Sequence, residues 1–136
     1  MEPLNRFETD FINTFTQAKN MIDDIGKSNL KVILDTFHMN IEEKSIKDTV
    51  LAAGNYLCHF HASESDRGAP GSGHVPWEDI NEAFKKINYT GNIVVESFTQ
   101  DVKVIARAAS IWRNIEESNE VLAINGARFL RKVFSN

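Results

Sequence analysis

The chain has 136 residues, with 15 Lys and Arg against 19 Asp and Glu, for a formal net charge of −4. Hydrophobic residues make up 42% and charged residues 25%, which fits one globular domain over residues 1–136 rather than two. No apolar run approaches the roughly 20 residues that cross a bilayer, and a mildly acidic chain without a basic block argues against nucleic-acid or anionic-lipid partners.

The N-terminal MEPLNRFETD lacks a basic stretch followed by an apolar one, so no secretion signal is expected. One cysteine, Cys58, forms no internal disulfide and no thiolate zinc site. A cytoplasmic setting follows as an expectation.

Thr9 or Asp10 is the expected cap of a first helix, whose apolar stripe is Phe11, Phe15, Ala18, Met21, Ile22 and Ile25 and whose stop is Gly26. Val32–Leu34 then reads as a short strand ending in Asp35, followed by a polar loop. Ile46, Val50, Leu51 and Ala53 form a second stripe, stopped by Gly54. Tyr56–Phe60 reads as a strand ending in His61; Cys58 within it is expected to be a small buried residue. A glycine-rich loop covers 68–73. It lacks the Lys-Ser/Thr ending and the strand-turn-helix setting of a phosphate cradle.

Pro76 suits the first turn of a third helix with the stripe Trp77, Ile80, Phe84 and Ile87. Ile93–Val95 makes the next strand, ending in Glu96. A long amphipathic helix is expected through Val104, Ile105, Ala108, Ile111, Trp112 and Ile115. A last helix carries Leu122, Phe129, Leu130, Val133 and Phe134. Both tryptophans are expected to pack helices onto the sheet.

Strands alternating with helices predict an α/β fold with a parallel sheet. Three strands are too few for a doubly wound sheet of usual size, and a (β/α)8 barrel needs about 250 residues. The pattern fits either half a barrel, with about three to four parallel strands, or a very small open sheet.

Each strand ends in an ionisable residue: Asp35, His61 and Glu96. In parallel α/β folds, side chains at the carboxyl ends of strands converge on one site. Two carboxylates and an imidazole form a hard donor set that favours Mn²⁺, Mg²⁺ or Co²⁺. The alternative is three unrelated polar residues at strand-to-loop junctions.

Longer motifs narrow the choice. Glu2-Pro-Leu-Asn-Arg-Phe-Glu8, Leu34-Asp-Thr-Phe-His-Met-Asn-Ile-Glu-Glu43, His59-Phe-His61 with Glu64 and Arg67, Pro70-Gly-Ser-Gly73, Pro76-Trp77, Ile87-Asn-Tyr-Thr-Gly91 and Val94-Val-Glu-Ser-Phe98 resemble the ketose 3-epimerases. These are the D-tagatose and D-psicose 3-epimerases, xylose-isomerase-like TIM barrels. The resemblance runs from Glu2 to about Ile115 and covers the C-terminal half of such a barrel. It departs at Ser97, where the family usually has Pro, and at Ser63, where many members have Gly.

The resemblance implies one divalent metal ion, Mn²⁺ first and Co²⁺ or Mg²⁺ as alternatives, held by Glu2, Asp35, His61 and Glu96. It implies that Glu8, His38 and Arg67 hydrogen-bond a ketose. It implies C3 epimerisation through a cis-enediolate, with Glu2 and Glu96 as the acid/base pair on opposite faces of the sugar. A half-barrel exposes apolar edges, so a homo-oligomer or a complementing barrel half is expected as partner, with weak activity for the chain alone. A non-catalytic half-barrel that binds a sugar or a partner chain, or another sugar isomerase of the same superfamily, is the alternative.

Overall fold

The computed structural model describes residues 1–135; residue 136, the end of the expected domain span, lies outside the described residues. The elements run α1 (Phe15–Ile25), β1 (Val32–Asp35), α2 (Thr36–Glu42), α3 (Ile46–Ala53), β2 (Leu57–Ala62), α4 (Trp77–Ile87), β3 (Asn92–Val95), α5 (Lys103–Ala108) and α6 (Asn119–Phe134). The strands form one sheet in the order β1-β2-β3, and both pairs are parallel.

Strand alternation divides the sheet residues. Val32, Leu34, Phe60 and Ala62 are buried toward the helices, with Val50, Ile80, Ala83 and Phe84 in the same core. The rings of Phe60 and Phe84 meet edge to face at 4.8 Å. Ile33, Asp35, His59, His61 and Val94 share the other face through the register Ile33↔His59, Asp35↔His61 and His61↔Val94. That face is partly open: Asp35 is buried, Ile33, His59 and His61 are half-buried, and Val94 is 42% exposed.

The N-terminal residue extends the sheet beyond β1: the Met1 ammonium donates to the Lys31 carbonyl at 2.8 Å, and the Ile33 N–H donates to the Met1 carbonyl at 2.8 Å.

Four local expectations need correction. The first helix begins at Phe15, not near Thr9 or Asp10. Thr14 and Gln17 form a reciprocal capping box there, which satisfies two orphan donors at once. Residues 5–13 are tied back instead, with the Asn13 amide donating to the carbonyls of Leu4 and Thr9, and Phe11 is solvent-exposed.

The segment after Asp35 is a helix, α2, not a polar loop. The Asp35 side chain caps it by accepting the Phe37 N–H at 2.9 Å.

The long helix expected from Val104 ends at Ala108. Ser110 adopts a left-handed φ of 57°, the Ser110 N–H reaches the Arg107 carbonyl and the Ile111 N–H reaches the Ala106 carbonyl at 2.7 Å. These bonds form a Schellman stop. It turns Ile111 into the interior and leaves Trp112 exposed rather than packed; Trp77 is buried as expected.

Cys58 is exposed, not buried. Val32 pairs with Leu57 and Ile33 with His59, so Cys58 is the extra residue of a bulge, which re-aims its side chain. Smaller shifts place Pro76 at the cap of α4 rather than in its first turn, and Tyr56 in the turn before β2.

Candidate metal centre and sugar pocket

Parallel register carries the carboxyl ends of the strands to one edge. Asp35 is the last residue of β1, and its register partner His61 lies one residue from the end of β2. Glu96 follows β3 and is held by its N–H donating to the Ala62 carbonyl at 3.0 Å. Glu2 arrives beside β1 on the N-terminal segment anchored through Met1.

One ligand atom from each of Glu2, Asp35, His61 and Glu96 lies within 4.8 Å of the other three. His61 Nδ1 faces Glu2 Oε1 at 3.1 Å and Glu96 Oε1 at 3.5 Å. Three carboxylates and one imidazole around so small a volume suit a hard divalent cation held by oxygen and nitrogen, so the donor set fits the metal that the motifs imply.

The electrostatics express the crowding. Burial pushes the Asp35 carboxyl up to about 8, against the pull of the Arg67 guanidinium. Burial likewise raises Glu2, although His61 opposes it. Glu96 is also pushed up by burial, but its hydrogen bonding with Asp35 and the charge of Arg67 outweigh this and hold it below the ordinary carboxylate range.

Arg67 is the counter-charge. Its Nη1 donates to Asp35 Oδ2 at 2.6 Å and to Glu96 Oε2 at 2.9 Å. The guanidinium lies over the Phe37 ring at 3.9 Å and beside the Phe98 ring at 5.0 Å, contacts that favour a cation. Its backbone adopts a left-handed φ of 69°, which turns the loop so that the side chain enters the site.

Glu64 supports that loop. It is fully buried, and its carboxylate accepts the Gly71 N–H at 2.8 Å, the Val75 N–H at 3.2 Å and the Trp77 Nε1–H at 2.7 Å. A Cβ at Gly73 would collide with this carboxylate. The Arg67 N–H donates to the Glu64 carbonyl at 3.0 Å.

Glu8, His38 and Arg67 line one cavity of about 320 Å³ together with Glu2 and Glu96. Phe98, Val104, Ile105 and Ala108 give it an apolar wall. His38 is buried; burial and the neighbouring Arg67 charge hold its imidazole down to about 4. Glu8 is exposed at the rim. All seven residues singled out in the sequence therefore meet at one place: four as a cluster of ligand atoms and three as the cavity lining, with Arg67 touching both.

Three contributors have no role in the sequence reading. Phe37 and Phe98 hold Arg67, and Asn5 bridges Glu8 and His38. All three stand inside the quoted motifs, Phe37 two residues after Asp35, Phe98 two residues after Glu96 and Asn5 midway between Glu2 and Glu8. That position was the available signal.

A family model described as the xylose isomerase-like TIM barrel matches residues 1–133. The chain belongs to that family. Its sheet and helices are part of such a barrel, and the resemblance to ketose 3-epimerases is borne out in sequence and in structure.

The chain is 43% identical over 121 residues to the D-psicose 3-epimerase of Agrobacterium fabrum, covering 89% of this chain and 42% of that protein. It is 40% identical over 139 residues to the D-psicose 3-epimerase of Enterocloster bolteae, covering 98% of this chain and 46% of that one. A crystal structure of D-psicose 3-epimerase in the presence of D-fructose superposes with a TM-score of 0.92 at 39% identity, over 100% of this chain and 49% of that structure. The chain spans about half the length of the relatives it matches.

Proposed function

We propose that this chain carries the catalytic half of a metal-dependent ketose 3-epimerase, acting on a free ketose of the D-psicose, D-tagatose or D-fructose type. What supports this assignment above all is the cluster of Glu2, Asp35, His61 and Glu96 ligand atoms within 4.8 Å, opening on the cavity lined by Glu8, His38 and Arg67. The named relatives are 3-epimerases, in keeping with it.

Glu2, Asp35, His61 and Glu96 would hold the cation, Mn²⁺ first and Co²⁺ or Mg²⁺ as alternatives. When bound, it supplies Lewis-acid polarisation of the sugar oxygens beside C3 and acidifies the C3–H. Glu8, His38 and Arg67 bind the hydroxyls and orient the sugar. One of Glu2 and Glu96 takes the proton from C3, giving a cis-enediolate, and the other returns a proton to the opposite face, which inverts C3. The Arg67 fork stabilises developing negative charge beside these carboxylates. The apolar wall of Phe98, Val104 and Ile105 restricts water around the enediolate.

The partly open face of the sheet at Ile33, His59 and Val94 favours association with a second barrel half, either another copy or a complementing chain, and weak turnover without it. Among the described residues no helix is long and apolar enough to cross a membrane; a cytoplasmic setting belongs to the proposal and rests on composition.

The test combines Mn²⁺ binding by calorimetry with incubation of D-fructose or D-psicose in D₂O. Deuterium incorporation at C3, read by NMR, together with interconversion of the two sugars supports the assignment. Mn²⁺ and sugar binding without exchange at C3, even after self-association, favours the non-catalytic half-barrel. Absence of Mn²⁺ binding defeats the proposal.

A further inference from the structure

We propose that Asn5 is a positioning residue of the sugar pocket: it fixes the His38 proton on Nε2 and aims the Glu8 carboxylate. The inference rests on the assignment of His38 and Glu8 as sugar contacts and names what prepares them.

Asn5 is 2% exposed and sits in the turn between Glu2 and α1. Its amide orientation is decided by the backbone. The Phe7 N–H donates to Oδ1 at 2.9 Å, so the other terminal atom is the Nδ2 donor. Nδ2 lies 2.9 Å from Glu8 Oε1 and 2.9 Å from His38 Nδ1. The backbone N–H of Asn5 reaches the same His38 Nδ1 at 3.1 Å. His38 Nδ1 thus faces two N–H groups, neither of which accepts. Its lone pair receives them, and the proton of the neutral ring sits on Nε2. A proton on Nδ1 would set three N–H groups against one another.

At the other end of the ring, Nε2 lies 3.6 Å from Asp35 Oδ2 and 3.3 Å from Arg67 Nη2. Arg67 Nη2 is a donor and the Asp35 oxygen lies beyond hydrogen-bond distance, so a proton on Nε2 meets one opposing N–H where a proton on Nδ1 would meet two. His38 therefore presents a donor where the cavity meets the metal cluster.

Glu8, exposed at the rim, would otherwise spread over several rotamers. The Asn5 amide holds one of its oxygens and leaves the other free, so part of the ordering cost is met before a sugar arrives. Without the amide the turn loses the acceptor of the Phe7 N–H but keeps two backbone bonds, because the Asn5 carbonyl accepts the N–H groups of Glu8 and Thr9 at 3.0 and 3.2 Å.

The test uses the full chain, ¹⁵N-labelled, with Mg²⁺ as a diamagnetic cation and D-fructose as the sugar, at one pH. The ring ¹⁵N shifts of wild-type His38 are expected to show an unprotonated Nδ1 and a protonated Nε2; the reverse pattern overturns the inference. Asn5→Asp replaces a donor by an acceptor. It is expected to move the proton to Nδ1 and weaken D-fructose binding by about tenfold or more, the size of one charge-assisted hydrogen bond.

Asn5→Ala keeps the backbone donor to Nδ1, so the tautomer persists while D-fructose binds roughly five- to tenfold more weakly. Cation affinity stays unchanged in this variant. Unaltered sugar affinity in Asn5→Ala, or a cation affinity that falls in step with it, overturns the positioning role. If Asn5→Ala does not fold, the wild-type ring spectrum and Asn5→Asp carry the decision. A wild-type chain that binds neither Mg²⁺ nor D-fructose defeats the proposed function, while the ring spectrum still decides whether Asn5 fixes the tautomer.

Discussion

Arg67 and Asp35, 32 residues apart, meet inside the protein through a 2.6 Å hydrogen bond, with neither side chain more than 5% exposed. Removing one member of such a pair strands the other charge in a low-dielectric setting. Because the Asp35 carboxyl is pushed up to about 8, that charge is present only above this pH, and Arg67→Ala is expected to destabilise the cation-free chain by about 3–5 kcal/mol at pH 9 and by less at pH 6, read from urea unfolding. An unchanged midpoint would show that Asp35 is already neutral and indifferent to the guanidinium.

Each proposed ligand residue has a distinct expected effect from each residue of the cavity wall. Asp35→Asn and His61→Ala are expected to weaken Mn²⁺ binding by more than the roughly 10–100-fold seen when outer partners of metal ligands are changed. Glu8→Gln should leave Mn²⁺ affinity within about twofold of wild type and weaken sugar binding instead, because Glu8 lies outside the four-residue cluster. Calorimetry with Mn²⁺ and then with sugar separates the two classes. In the same experiments, EDTA should lower the melting temperature of Mn²⁺-loaded protein, since Mn²⁺ at 100 times its Kd contributes about 2.7 kcal/mol.

Glu64 holds three N–H groups in the interior. Glu64→Ala leaves the Gly71 and Val75 amides and the Trp77 indole without an acceptor, at about 1–3 kcal/mol for each one that stays buried. The effect should reach the site, because the loop that Glu64 anchors carries Arg67. Chemical denaturation together with sugar affinity checks both parts, and a stability loss without any change in sugar affinity would separate the loop anchor from the pocket.

Tyr89 supplies a pH dependence away from the metal cluster. Its ring lies 4.6 Å from that of Phe84 and its hydroxyl donates to the Asn92 carbonyl at 2.9 Å. Burial pushes the phenol up to about 12, against about 10 in an unfolded chain. Between those values the folded state holds a proton that the unfolded state has lost. The contribution is therefore fully present below about pH 10 and is lost as pH rises through about 12. Tyr89→Phe should flatten the fall in stability over that window, measured by urea unfolding at pH 9.5 and 11.

The positions that chemistry fixes were legible in the sequence. Asp35, His61 and Glu96 each follow or close an apolar run, and the parallel register converts that spacing into one cluster. The helices α3, α4 and α6 were visible because their apolar stripes pack on the sheet. The elements that escaped are those decided by local capping bonds and by strand register. Thr14 takes the start of α1 through a reciprocal cap that apolar periodicity cannot register. Ser110 stops α5 by a left-handed turn even though Ile111, Trp112 and Ile115 continue the helical spacing. Cys58 leaves the core because a bulge adds one residue to the strand, a slip in pairing that a lone strand does not reveal. Asn5 stayed without a role because its importance lies in which atoms it donates to, which is a property of the folded chain.

The two oxygens of Asp35 have separate fates. Oδ1 is committed to the Phe37 amide at the start of α2, and Oδ2 faces Arg67 and His38. A carboxylate so divided has one oxygen to offer the ion it is proposed to hold, and that oxygen already takes the Arg67 bond, while the other ties the first turn of α2 to the same side chain. Its amide analogue retains the oxygen that begins the helix while surrendering the anionic one, so a protein with Asn at this position is the natural folded reference from which to measure what the charge alone contributes.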